Sequence, residues 1–174
     1  SDSQEAKDFI KFAYDLSEKY DTPVILRTTT KLAHSQSVVS IEDRIEIPDK
    51  VYERSVKKYV MMPASAIGRH LVVEDREKRL LEDCSTFPIN KVEYNDKKIG
   101  FITSGIPYQY VKEVFPEASV LKLGIINPLP KKLIAEFIEN VEEVYVFEEL
   151  EPVIEEQIRS WGYNVKCKEL FTKQ

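Results

Sequence analysis

Three short apolar runs punctuate the carboxyl half of the chain, and a helical pattern follows each of them. Ile99-Gly100-Phe101-Ile102-Thr103 stops at Ser104-Gly105, and Val120-Leu121-Lys122-Leu123 stops at Gly124 and Asn127-Pro128. Val144-Tyr145-Val146-Phe147 stops at Glu148-Glu149-Leu150-Glu151-Pro152. Runs of β-branched and aromatic residues alternating with helices of about ten residues predict βαβ units and a parallel sheet. Pro107, Pro130 and Pro152 mark the helix starts, and Gly162 reads as the glycine just past the last helix. Residues 165–170 alternate polar and apolar positions, which predicts a last strand at a sheet edge. The fold class expected is α/β, an open and mostly parallel sheet flanked by helices. Ligands of such sheets meet the loops leaving the carboxyl ends of the strands, so the three turns above should line one edge.

The amino-terminal half is patterned differently. Residues 1–20 predict an amphipathic helix, capped by Ser1 or Asp2, with Gln4 or Glu5 closing a capping box. Ala6, Phe9, Ile10, Ala13, Tyr14 and Leu16 form its apolar stripe. After Asp21-Thr22-Pro23, the run Val24-Ile25-Leu26-Arg27-Thr28-Thr29-Thr30 reads as a buried strand. One helix and one strand cannot cover each other in water, so neighbouring strands are expected from chain preceding Ser1 or from another molecule. Ala33-His34-Ser35-Gln36-Ser37 reads as a polar turn, and residues 50–58 as a basic linker. A long helix opens at Pro63, with Ile67, Leu71, Val72, Leu80 and Leu81 on its apolar side and mixed charges elsewhere, the pattern of a helix bridging two domains. Residues 87–96 read as a loop or an edge strand.

Composition narrows the field. Hydrophobic residues at 43% and charged residues at 32% are ordinary for a soluble globular protein, and a net charge of −5 gives no basic surface for nucleic acid. No apolar run approaches the roughly eighteen residues that span a bilayer, and the start is polar and acidic with no secretory pattern. A cytoplasmic location is expected, with Cys84 and Cys167 reduced. The missing initiator Met points to a processed chain or a piece of a longer one. Two distant cysteines supply neither a zinc site nor an iron–sulfur cluster, and no glycine-rich phosphate motif is present.

The polar candidates each carry two readings. Glu148, Glu149 and Glu151 can contact a ligand, metal or partner domain, or can simply complement the dipole of the following helix. Ser104-Gly105 leaves backbone N–H groups free for an anion, or is only a tight turn that needs glycine. The loop carrying Asn127 is a rigid connection or an interface. His34, flanked by hydroxyls, can polarise a carbonyl, but without a partnered carboxylate or cysteine it forms no triad. His70 reads as a surface residue. Arg27 with Thr28 and Thr29 can bind a carboxylate, though a strand hydroxyl ladder explains the threonines as well.

The strings Ser1-Asp2-Ser3-Gln4-Glu5-Ala6, Pro23-Val24-Ile25-Leu26-Arg27-Thr28-Thr29-Thr30 and His34-Ser35 resemble the large subunit of indolepyruvate:ferredoxin oxidoreductases, members of the 2-oxoacid:ferredoxin oxidoreductase family. The resemblance continues through residues 101–106, 121–124, 127–130 and 148–155. It implies an enzyme of anaerobes, often archaea, that decarboxylates aryl-2-oxo acids on thiamine diphosphate held with Mg²⁺. Electrons pass through 4Fe-4S clusters to ferredoxin, and the product is an acyl-CoA formed from coenzyme A. A smaller β subunit is the implied partner. Residues 1–47 would then be the end of a pyrimidine-binding domain, 48–97 a linker with the long helix, and 98–174 a domain like the carboxyl-terminal domain of transketolase. The activating glutamate, the diphosphate motif and the cluster cysteines are expected outside this chain. The chain alone is therefore expected to bind no cofactor and to be inactive. Arg27, His34 and Ser35 would lie nearest the chemistry, Arg27 pairing with a substrate carboxylate and His34 or Ser35 with a substrate oxygen. A free-standing module for a nucleotide or coenzyme A, and a self-associating assembly subunit, are the alternatives.

Overall fold

Parallel β-strands need long crossovers, and the helical patterns after the first two apolar runs supply them. A computed structural model describes residues 1–49 and 51–170. Its sheet holds β1 (Lys91–Glu93), β2 (Asp96–Ser104), β3 (Ala118–Leu123) and β4 (Glu143–Phe147), in the spatial order β1-β3-β2-β4. β2 is central and runs parallel to both β3 and β4, while the short β1 closes one edge antiparallel to β3. The open, mostly parallel α/β sheet expected from the sequence is therefore present, and residues 87–96 do carry an edge strand. At the other edge the predicted last strand reduces to one parallel bridge, Tyr145 to Lys166, before a turn of 3₁₀ helix over Lys168–Leu170.

Helices cover both faces. In chain order, α1 (Ser3–Tyr20), α2 (Thr30–His34), α3 (Val56–Tyr59) and α4 (Pro63–Asp83) precede the sheet. α5 (Pro107–Val114), α6 (Lys131–Glu139) and α7 (Val153–Ser160) are interleaved with it. Pro107 is the first residue of α5, whereas Pro130 and Pro152 sit one residue before α6 and α7. Gly162, at φ +90°, follows α7 as expected. One face of the sheet packs Ile102, Leu121, Leu123, Val144 and Val146 against Ile134 and Phe137 of α6 and Ile154 and Ile158 of α7. The opposite face packs Phe101, Ala118 and Val120 against Val111 of α5.

The amino-terminal half departs from expectation in several places. Residues 23–29 form no strand, and Ile25 is 90% exposed. A strand exists only where its N–H and C=O groups find a ladder, and none of the described strands borders this run. Asp2 caps α1 by accepting from the Glu5 amide at 2.9 Å, but Glu5 closes no box; it is buried against Lys122 of β3. The buried face of α1 is Glu5, Leu16 and Tyr20 with Phe12 beside them, packed on Cys84, Phe87, Leu80, Ile89 and Ile125. Ile10 and Tyr14 of the predicted stripe are exposed at 44% and 70%. The predicted turn at Ala33-His34 belongs instead to α2, and the predicted linker contains α3. Lys50, which opens that linker, and residues 171–174 at the end of the predicted carboxyl domain lie outside the described residues.

Among the mixed charges of α4, Arg79 pairs with Asp75 at i,i+4, and His70 also meets Glu74, both at 3.0 Å. Asp21 at the end of α1 pairs with Lys58 of α3 at 2.7 Å and with Arg69 of α4 at 3.6 Å, and its carbonyl accepts from Arg76 of α4 at 2.5 Å. These cations outweigh the small effect of burial and hold the Asp21 carboxyl below its ordinary range, the Lys58 hydrogen bond contributing most. Of the predicted apolar side of α4, only Leu80 packs inward. Ile67, Leu71, Val72 and Leu81 remain exposed.

Candidate functional site

The order of connections creates a switch point. β2 leads through α5 to β3 on one side, whereas β4 leads through α7 toward residue 166 on the other. The loops after β2 and β4 thus diverge from neighbouring strand ends, the arrangement that opens a crevice in α/β sheets. The two strand ends are in register, Thr103 opposite Phe147, and the buried Thr103 hydroxyl donates to the Phe147 carbonyl at 2.8 Å.

On the β2 side, Ser104 is half-buried and Gly105 is exposed, with φ +64°. That left-handed turn is the one glycine tolerates best, and it delivers the chain directly into α5. On the β4 side, Glu148 turns inward and accepts from the amides of Ile154 and Glu155 at 3.0 and 3.1 Å, capping α7. Burial pushes the Glu148 carboxyl up, and these two donors together with Lys168 do not fully offset it. Leu150 sits at φ +62°, a costly conformation for leucine, and this sharp turn separates Glu149 from the exposed Glu151. The helix-capping reading therefore holds for Glu148, but not for Glu149, which faces another part of the chain.

Glu149 accepts from the Lys31 ammonium of α2 at 2.9 Å. The same ammonium lies 5.1 Å from the centroid of the Tyr110 ring on α5, and its hydrogen bond to Glu149 raises the Lys31 pKa. The segment bearing Arg27, His34 and Ser35 is thereby brought to the carboxyl edge. Arg27 and His34 are exposed and have no hydrogen-bond or ion-pair partner among the described residues, while the Ser35 hydroxyl donates to the Leu32 carbonyl at 2.8 Å. Asn127, exposed ahead of a cis bond to Pro128, joins no contact with these groups.

Two clusters were not legible in the sequence. Lys122 is 3% exposed and pairs with Glu5, while its ammonium lies 4.4 Å from the Tyr108 ring centroid. Tyr108 in turn donates to Glu93 at 2.6 Å, and burial followed by that bond pushes its hydroxyl up to about 12. A lone lysine inside the apolar run of β3 was the available signal. Near the other edge, Glu155, Cys167 and Glu169 converge. Arg159 already neutralises both carboxylates at 2.7 and 3.0 Å. Burial and the Glu155 hydrogen bond push the Cys167 thiol up to about 12, so it stays protonated, and the group reads as an ion-pair lock.

With the geometry in place, comparison with known proteins gives a consistent picture. Over 94% of its length the chain is 36% identical to the indolepyruvate oxidoreductase subunit IorA of Pyrococcus horikoshii. It is 34% identical, over 94% and 93% of its length, to the subunits of the same name from Thermococcus kodakarensis and Archaeoglobus fulgidus. The chain is a relative of the IorA subunit of indolepyruvate oxidoreductases. It spans 27% of the length of these IorA relatives. Among solved structures, a 2-oxoglutarate:ferredoxin oxidoreductase from Magnetococcus marinus with 2-oxoglutarate, coenzyme A and succinyl-CoA bound is 16% identical. It aligns with 57% of this chain and 19% of its own, at a TM-score of 0.42. No family model matches the sequence. Among the described residues, no helix is long and apolar enough to cross a membrane.

Proposed function

We propose that this chain works as a contact-making segment within the large subunit of a thiamine-diphosphate-dependent oxidoreductase. That enzyme oxidatively decarboxylates indolepyruvate and related aryl-2-oxo acids to acyl-CoA, with ferredoxin as electron acceptor. Residues 1–47 belong to its pyrimidine-binding domain and 98–174 to a transketolase-C-like domain. The cofactor, Mg²⁺ and the 4Fe-4S clusters are held by other parts of that enzyme, and a smaller β subunit completes it. In that setting Arg27 pairs with the substrate carboxylate, and His34 or Ser35 hydrogen-bonds the substrate oxygen.

One observation carries the reading. Between residues 38 and 72 a belt of large apolar side chains faces outward, including Val38 (97% exposed), Ile41 (96%), Val51 (90%), Ile67 (74%) and Leu71 (65%). A self-sufficient domain rarely leaves so many large apolar side chains uncovered, whereas a surface seated against other protein must present them. Ile67 and Leu71 lie one turn apart on α4, so the helix itself offers an apolar stripe to a partner surface.

In the complete enzyme, Ile67→Asp together with Leu71→Asp should lower ferredoxin-linked oxidation of indolepyruvate by roughly 10-fold or more, because two desolvated anchors are lost. Light scattering should show a looser assembly. Unchanged activity and unchanged mass would overturn the contact-making role. Arg27→Ala and His34→Ala test the site assignment separately, through kcat/KM.

A further inference from the structure

α2 is five residues long, too short to persist as a helix by itself, and no residue in it is buried. Thr29 caps it weakly, accepting from the Leu32 amide at 3.4 Å. The chain on either side, residues 22–29 and 35–49, has no regular structure. Yet α2 reaches the switch point through one long side chain, Lys31. Its partners come from both walls of the crevice: Glu149 from the turn after β4, and Tyr110 from the helix after β2. Glu149 stands on a firm base, because the adjacent Glu148 is fixed by the amino end of α7 and its carbonyl accepts from Lys168 at 2.9 Å.

We infer that Lys31 and Glu149 form a clasp that holds residues 27–35 as a strap across the carboxyl ends of β2 and β4, with Glu149 acting as a positioning residue for Arg27, His34 and Ser35. The functional half of this inference rests on the role proposed above for those three residues. The mechanical half does not. Lys31 and Glu149 are 57% and 30% exposed, and an ion pair that open to water, even with an aromatic face beside it, biases a segment without locking it. The strap is therefore closed most of the time and released at high salt, where an exposed pair is screened. Such a weak clasp suits a segment that must admit substrate and then present a cation and an imidazole to it.

Hydrogen exchange read by mass spectrometry tests the clasp in the chain as described. The reporter amides are Ala33, donating to the Thr29 carbonyl at 3.0 Å, and Ser35, donating to the Leu32 carbonyl at 3.2 Å. Lys31→Ala and Glu149→Ala should each speed exchange in residues 27–35 by about 3- to 10-fold, the size of one exposed pair plus a cation–π contact. Exchange in β2 and β3 should not change. The reversed pair, Lys31→Glu with Glu149→Lys, should restore protection. Unchanged exchange in both single variants, or no restoration in the reversed pair, overturns the clasp. In the complete enzyme the single variants should raise KM more than they lower kcat, and the reversed pair should recover it. Faster exchange with unaltered KM keeps the clasp but removes its functional half, while the site role of Arg27, His34 and Ser35 falls only if Arg27→Ala and His34→Ala leave kcat/KM unchanged.

Discussion

Replacing Lys122 with methionine should destabilise the chain by about 3 kcal/mol or more, the usual consequence of stranding one member of a buried ion pair. Lys122 and Glu5 are 4% and 9% exposed at their side chains, and together they join α1 to the carboxyl end of β3. The ammonium also donates to the Ser1 hydroxyl at 2.7 Å and faces the Tyr108 ring, so the whole charge is accounted for inside the protein. Methionine fills the stem but leaves the Glu5 carboxylate without its main cation. Adding Glu5→Leu removes the stranded carboxylate and should recover part of the loss, the remainder reflecting the Ser1 ammonium, which also pairs with Glu5. Chemical denaturation of the two variants and their double mutant measures this. A single-variant loss below about 1 kcal/mol would mean that α1 is not docked through this pair.

The pH dependence distinguishes the same pair from the half-buried Glu148. Burial alone would raise the Glu5 pKa, but the hydrogen bond and charge of Lys122, with the amino terminus, outweigh it and hold it below the ordinary glutamate value. A depressed carboxylate contributes stability that is complete above its ordinary pKa and is lost as pH falls through the lower folded value. In Lys122→Met the sign reverses: a buried, poorly paired Glu5 prefers its proton, so the deficit should shrink on acidification. Glu148 behaves oppositely in the parent chain. Its pKa is raised, chiefly by burial, so its contribution is complete below the ordinary glutamate value and declines as pH rises through the folded one. Glu148→Gln should remove that decline. Stability followed from acid to neutral pH for the parent and both variants separates the two slopes.

These residues also show where reading the sequence succeeded and where it could not. The three apolar runs of the carboxyl half became β2, β3 and β4 because each is followed by a helical segment that covers it, so local pattern and tertiary outcome agree. The run at residues 24–30 is also rich in β-branched residues, and it forms no strand because no described strand pairs with it. Propensity describes a surface suited to pairing; it does not supply the neighbour. The face of α1 was misread for a related reason. Its apolar periodicity allowed several stripes, and the choice fell to Glu5, whose partner Lys122 lies 117 residues away in the chain. In the acidic turn, Glu148 is the helix cap that the dipole argument anticipates. That Glu149 instead meets Lys31, 118 residues distant, has no local signature, because opposite charges on exposed side chains are too common to pair by inspection.

Alanine at position 124 should cost about 3 kcal/mol through overpacking against main chain, where neighbours cannot simply rotate away. A Cβ on Gly124 would stand 2.2 Å from the Ile89 carbonyl oxygen and 2.7 Å from its carbon. Relief by moving residues 87–90 is resisted at both ends. The Asn90 side chain accepts from the amides of Gly124 and Ile125 at 3.0 and 3.3 Å, and it donates to the Cys84 carbonyl at 2.9 Å. Phe87 and Ile89, which would have to follow, pack with Leu16, Tyr20 and Cys84 in the cluster that seats α1. The substitution should therefore loosen α1 from the sheet as well as lower the midpoint of unfolding, and exchange should quicken in residues 3–20 before it does in β2. Gly68→Ala in α4 is the matched control. Its Cβ would meet nothing within 4 Å, and the gain in helix propensity should stabilise by up to about 1 kcal/mol. If the two alanines had similar effects, the close approach of Gly124 to Ile89 would not be what fixes α1 against the sheet.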